Sequence, residues 1–177
     1  MKKFFGTIFI VVYSIIAITI TILLLSYNEY LCSEINGYTF YKVVDDSLEP
    51  DFVKGDLLII NQSSLKNIHV GDKVFLYQNI SNVEYYVKYG EITDITTQLN
   101  RTVLTIDGRY QFDSSYLIGK EDGSYFYHNL GTVLNLLESK WGYLFFIVIV
   151  TLLLFLEELY ELFMELKYGN EIDEKKG

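Results

Sequence analysis

From Phe4 to Leu25 the sequence carries no charged residue and is dominated by Ile, Leu, Val, Phe and Thr. A helix of about 20 such residues matches the ~30 Å hydrocarbon core of a bilayer, so the rest of the chain is expected to fold beside a membrane. Lys2 and Lys3 precede the stretch, and Glu29 and Glu34 follow it. The excess of basic charge on the cytoplasmic side of membrane helices then puts the N-terminus in the cytoplasm and the next domain outside. A cleaved signal peptide is the competing reading. The apolar run is longer than a typical signal-peptide core, and Ser26-Tyr27-Asn28-Glu29-Tyr30 offers no small-x-small cleavage site. An uncleaved anchor is the expectation, over residues 1–28.

A second apolar stretch runs from Trp141 to Leu156, opened by Trp141 and Tyr143, residues suited to the interfacial aromatic belt. Its uncharged part is about 16 residues, slightly short for a span. From Glu157 to Leu166 apolar residues recur at helical spacing with acids between them, so the helix is expected to continue along the membrane surface. An amphipathic helix packed on the folded domain is the other reading. The second membrane segment is placed at 141–167, followed by a charged tail at 168–177.

Composition narrows the function classes. Half of the 177 residues are hydrophobic and the net charge is −9, which argues against nucleic acid, whose phosphates need a clustered basic face. A single cysteine, Cys32, leaves no internal disulfide framework and no Cys-rich zinc site. The two histidines, His69 and His128, are far apart without a second ligand cluster, so no metal site is expected. Each reads as a solvated surface residue. No cofactor is implied.

Residues 29–140 are enough for one small domain, and they read as strands. Tyr38–Val44, Leu57–Ile60, Lys73–Tyr77, Val83–Tyr89, Glu91–Thr97, Arg101–Ile106, Tyr116–Ile118 and Tyr125–Tyr127 are short, β-branched or aromatic runs separated by Gly, Asp and Asn. Strands at such spacing predict a mainly β fold, a small antiparallel sheet or barrel-like domain flanked by two transmembrane helices. Helical periodicity returns near Thr132–Ser139.

Soon after the first apolar stretch comes Asp45-Asp46-Ser47-Leu48-Glu49-Pro50-Asp51-Phe52, leading through Val53-Lys54 to Gly55-Asp56, with the only proline of the chain. By itself Ser-Leu-Glu-Pro is an ordinary turn. In its setting, an anchor, a strand, this serine stretch, Gly55-Asp56 and a later Gly71-Asp72-Lys73-Val74-Phe75, the chain resembles a type I signal peptidase. Ile118-Gly119-Lys120 resembles the strand after that family's acidic motif. The C-terminal apolar segment and short middle resemble its archaeal, endoplasmic-reticulum and sporulation-type branch. Leu48 stands where the family has Met, a volume-conserving change.

The resemblance implies a membrane-bound serine endopeptidase that removes signal peptides from exported precursor proteins, with Ser47 as nucleophile. A serine hydroxyl needs a nearby base to take its proton, and the Ser47 amide is the natural donor to the oxyanion. The strand before it, Lys42–Asp45, could pair with an extended substrate. Against the bacterial branch, Tyr86-Val87-Lys88-Tyr89 makes Lys88 the general base. Against the other branch, Val87-Lys88-Tyr89-Gly90-Glu91-Ile92 puts Val87 at the position of the base. One residue on a strand is the opposite face, so either Lys88 is the base or the protein is catalytically inactive. Asp107 of Asp107-Gly108 reads as a hairpin turn, and Asp113 is the other candidate acidic support residue. The inactive alternative binds exported chains or assists assembly of a surface structure. A third reading is a structural two-span membrane protein. Implied partners are exported precursors and the lipid bilayer, and a secretion-machinery partner also fits; the implied location is the cell membrane.

Overall fold

A computed structural model describes residues 2–81, 84–98 and 101–174. The chain divides into two compact units, Met1–Asn135 and Leu136–Gly177.

The first unit begins with helix α1 (Lys2–Leu25). Its apolar side chains are largely exposed, Phe9, Ile15 and Ile18 at 59–61%. The chain then turns through a polar knot built on Asn28. The Asn28 Oδ1 accepts from the N–H groups of Tyr30 and Cys32, and its Nδ2 donates to Glu34 and to the Tyr77 hydroxyl. Tyr30 stacks on Tyr77 with ring centroids 3.9 Å apart. Cys32 lies buried in this corner, and burial pushes its thiol up to about 12.

Eight strands follow: β1 (Ser33–Ile35), β2 (Tyr38–Lys42), β3 (Leu57–Gln62), β4 (Lys73–Ser81), β5 (Glu84–Gln98), β6 (Arg101–Ile106), β7 (Tyr110–Asp113) and β8 (Leu117–Tyr127). They form one antiparallel sheet in the order β1-β2-β3-β8-β4-β5-β6-β7. Strand makes up about a third of the described residues, so the whole is mixed, with its β content in the first unit and long helices besides. The expected strands at Val83–Tyr89 and Glu91–Thr97 are one strand, β5, interrupted only by a register shift between Ile92 and Asp94; Val83 lies outside the described residues. Likewise Leu117, Ile118 and Tyr125–Tyr127 belong to β8, whose pairing with β3 shifts register between Ile59 and Asn61, while Tyr116 ends the short turn Ser114–Tyr116 before it. Strands β1 and β7 are too short and too polar to stand out in the sequence.

Strand β4 is buried on both faces, and the two-residue period of a strand divides its side chains between two cores. Phe75 and Tyr77 join Leu48, Phe52, Leu58, Val87 and Tyr89 in one. Val74 and Leu76 join Ile68, Ile92, Leu104 and Ile106 in the other.

The two Gly-Asp pairs are one device used twice. Gly55 (φ +97°) and Gly71 (φ +93°) occupy the left-handed region, which glycine enters without a steric penalty. The following carboxylate accepts the N–H three residues back, Val53 to Asp56 and His69 to Asp72. Each turn launches a strand, β3 or β4. Asp72 also holds Lys120 at 2.9 Å, and with the His69 N–H this keeps its carboxyl below the usual range.

Asp56 is the deeper of the two, 2% exposed. Burial alone would raise its pKa, but hydrogen bonds from the Val53 N–H, the His128 ring at 3.1 Å and the Asn129 N–H outweigh that and hold it low. The main chain around it closes the loop that carries Ser47, with Val43 N–H on Asp56 O and Gly55 N–H on Val43 O.

The second unit contains the end of helix α2 (Leu130–Glu138), then α3 (Lys140–Gly142), a π-helical segment (Tyr143–Ile149) and α4 (Val150–Glu174). The stretches Gly6–Leu25 and Lys140–Lys167 are long and apolar enough to cross a bilayer. The helix therefore continues well past the uncharged residues, through the acids at 157–165 and into the expected tail, of which 175–177 lie outside the described residues.

A group whose folded pKa is depressed contributes stability that is complete above its unfolded value, about 3.9 for aspartate, and is lost as pH falls through the folded one. Asp56→Asn is therefore expected to melt below the wild type at neutral pH, and the gap should close as pH drops below about 3.9. Melting curves followed by circular dichroism across that pH series test this.

Candidate functional site

The loop between β2 and β3 is pinned by two apolar side chains. Leu48 (4% exposed) and Phe52 (6%) enter the first core, where Phe52 meets Phe75, Tyr89 and Phe126 with ring centroids 4.8–5.7 Å apart. Between them Phe52 N–H bonds to Leu48 O at 3.0 Å, and the Glu49–Pro50 peptide is cis. With Leu48 held inward, its neighbour Ser47 is left exposed.

Ser47 and Lys88 line the same two cavities. One, about 280 Å³, is walled by the serine loop, by Lys73 of β4, by Lys88 to Glu91 of β5 and by Asp107. The other, about 180 Å³, lies between Asp45 and Ser47 of the loop, Gln78, Tyr86 to Lys88, and Tyr110. Val87 is 2% exposed and packs in the first core with Leu48 and Tyr89, while Lys88 is half-buried on the opposite face of β5. That parity follows from the pairing of β5 with β4, which sets Val87 opposite Tyr77 and Lys88 opposite Leu76.

The two groups are neighbours without being bonded. Among the described residues no hydrogen bond joins Ser47 to Lys88, and the Lys88 Nζ lies over the Tyr110 ring, 4.9 Å from its centroid. The Ser47 amide, expected to serve an oxyanion, instead donates to Asp45 Oδ1 at 3.0 Å. The cause is local: an Asp two residues ahead of an N–H closes an Asx turn. An oxyanion could use this amide only after Asp45 turns away.

Of the two acidic candidates, Asp107 reaches the site and Asp113 does not line it. Asp107 (φ 52°) and Gly108 (φ 67°) form the left-handed pair of the β6–β7 hairpin. The Asp107 carboxylate also accepts the Glu91 N–H at 3.0 Å, tying the turn to β5 on the cavity wall. Gly90 makes room for it, since a Cβ there would sit 2.5–2.8 Å from Ile106 and from that carboxylate. Asp113 caps the short turn Ser114–Tyr116 by accepting the Ser115 N–H, which lowers its pKa.

Neither histidine approaches Ser47's cavities. The side chains of His69 and His128 are 77% and 79% exposed, each beside an aspartate. Among the described residues no group of His, Cys, Asp and Glu is arranged to hold a metal ion. Asp45 and Tyr110 are site residues that the sequence reading passed over. Asp45 had a signal in its spacing from Ser47; Tyr110 had none, because it arrives from a different hairpin.

No family model matches this chain, and no curated protein matches it.

Leu48 is the side chain that fixes Ser47 from beneath. Leu48→Ala removes its packing in the first core and should cost about 2–5 kcal/mol, read as a lowered denaturation midpoint in urea at unchanged slope.

Proposed function

We propose that this protein is a membrane-bound serine endopeptidase that removes signal peptides from exported precursors, with Ser47 as nucleophile and Lys88 as general base. The observation that carries the reading is the shared cavity wall: Ser47 and Lys88 line both cavities, while Val87, 2% exposed and packed in the first core, lines only the smaller. Lys88, as a free amine, would take the Ser47 Oγ proton while Oγ attacks the scissile carbonyl, then return that proton to the leaving amine. The chemistry needs no metal or cofactor.

The apolar helix α1 leads through the Asn28 corner directly into the sheet. In this reading the sheet stands on the extracytoplasmic side of the cell membrane, where precursors emerge, and the bilayer and the exported chain are its partners. The strand expected at Lys42–Asp45 ends at Lys42, and Val43 is already bonded to Gly55 and Asp56, so only the main chain beyond it, from Val44, is left for an extended substrate beside Ser47.

One observation favours a second reading. The Lys88 amine rests on Tyr110 and the Ser47 amide on Asp45, an arrangement also suited to a catalytically inactive relative that binds exported chains or assists assembly of a surface structure. A precursor-processing assay separates the two. Wild-type protein in lipid vesicles is expected to cleave an exported precursor at a single site. Ser47→Ala and Lys88→Ala should each lower the rate by about a thousandfold or more, as for other serine–base pairs. Binding of precursor without cleavage by the wild type selects the inactive reading.

A further inference from the structure

Strand β5 pairs with β4 from Glu84 to Glu91, but β6 joins it only from Ile92 to Gln98. Among the described residues, no strand lies on the other side of Tyr86–Tyr89. Strand β7 ends the sheet, paired with β6 alone. Two strand edges are therefore open, and the cavities mark where they face. The smaller site cavity is lined by three consecutive residues of β5, Tyr86, Val87 and Lys88. A further cavity of about 320 Å³ is lined by three consecutive residues of β7, Tyr110, Gln111 and Phe112, with Tyr77, Gln78 and Tyr116. Successive side chains of a strand point to opposite faces, so a cavity that touches three in a row lies against the edge of the strand. The two cavities share Gln78 and Tyr110 and form one cleft that leads from Ser47 to β7.

The far end of this cleft differs in chemistry from the end at Ser47. No charged residue lines it; its walls are four aromatic rings and two amides. An amide side chain offers both a donor and an acceptor, so Gln78 and Gln111 match the N–H and C=O groups of a peptide. An open strand edge offers the same groups from its main chain, which is the basis of strand addition. The rings suit an apolar side chain, and a charged one there would lose hydration without gaining a partner. We propose that the cleft holds an extended, uncharged segment of the exported chain as an added strand beside β7, with the ring-lined end as the pocket for an apolar side chain some residues away from the bond at Ser47.

Neither Ser47 nor Lys88 lines the far cavity, so this site selects what lies along the cleft and takes no part in bond cleavage. The proposal rests on the reading that exported chains reach Ser47, and it holds whether or not they are cut there.

The test is photo-crosslinking of a peptide that spans the cleavage region of an exported precursor, made with benzoylphenylalanine at one position at a time. The full-length chain carries Ser47→Ala and is held in detergent, so the peptide stays whole, and the joined residues are mapped by mass spectrometry. An added strand presents every second side chain to one face, so the probe should join Phe112 or Tyr116 from alternate positions and not from those between. Replacing the apolar residue at a joining position by Asp should weaken binding by about tenfold or more, read by fluorescence anisotropy of the labelled peptide. Gln111→Lys should recover part of that loss and Gln111→Glu should not. Gln111 is exposed, so neither variant disturbs a core. The proposal is overturned by crosslinks confined to the serine loop and β5, by crosslinks to β7 that do not alternate, or by an Asp peptide that binds as well as the original. Crosslinks confined to the serine loop leave the precursor reading standing, whereas no crosslinking above that of a scrambled peptide rejects both. Alternate joining to Phe112 or Tyr116, in a protein whose wild type cuts no precursor, rejects the peptidase reading and upholds the strand site.

Discussion

Strand β5 pairs with β4 over Glu84–Glu91 and with β6 over Ile92–Gln98, and its two-residue period decides which side chains face which way. Val87 and Tyr89 must enter the first core because Phe75 and Tyr77, directly opposite on β4, are already there. Lys88 is thereby turned to the other face, where the serine loop and the β6–β7 hairpin leave open space. A slip of one residue would bury an ammonium among aromatic rings at a cost of several kcal/mol. The packing of β4 against β5 thus enforces the placement of Lys88, and the chemistry inherits it.

The serine loop is fixed by a different kind of constraint. Leu48 and Phe52 supply the apolar hold, but the loop ends are closed by polar groups converging on a carboxylate with almost no access to water. Asp56 bonds the Val53 N–H on the loop side and His128 at the far end of β8. A buried carboxylate without such partners would be strongly unfavourable, so the loop, β3 and the end of β8 have to come together for any of them to be stable. The second Gly-Asp pair does the same for β4 through Lys120 and His69, nearer the surface and with less at stake.

How much of this could be read from the sequence depended on the range over which each residue acts. The apolar stretches, the Gly-Asp turns and the Asp107-Gly108 hairpin express preferences of a few consecutive residues, and α1, β6 and the left-handed turn angles follow them. The sequence divides β5 at Gly90 and β8 around Gly123 because a glycine inside a strand looks locally like a strand end. The turn that exposes Ser47 has a sequential setting, whereas the face of Lys88 stayed divided, because the face of a strand is decided by its partner. Asp107 read only as a turn because its hold on the Glu91 N–H is a contact across the sheet. Tyr110 was invisible for the same reason, its meaning lying in a lysine on another strand.

The two groups proposed for catalysis are each engaged elsewhere. Asp45 occupies the Ser47 N–H with a carboxylate oxygen, an anion where an oxyanion would form. Tyr110 engages the Lys88 amine with its π face. Both partners stand on the walls of one cavity, between the serine loop and the hairpin, so a single extended chain lying there would meet both. A peptide carbonyl placed over Ser47 would compete with Asp45 for the amide, and the chain beyond it would compete with Tyr110 for space. In the proposed peptidase a substrate would have to displace both partners at once; in the proposed binding protein it would not.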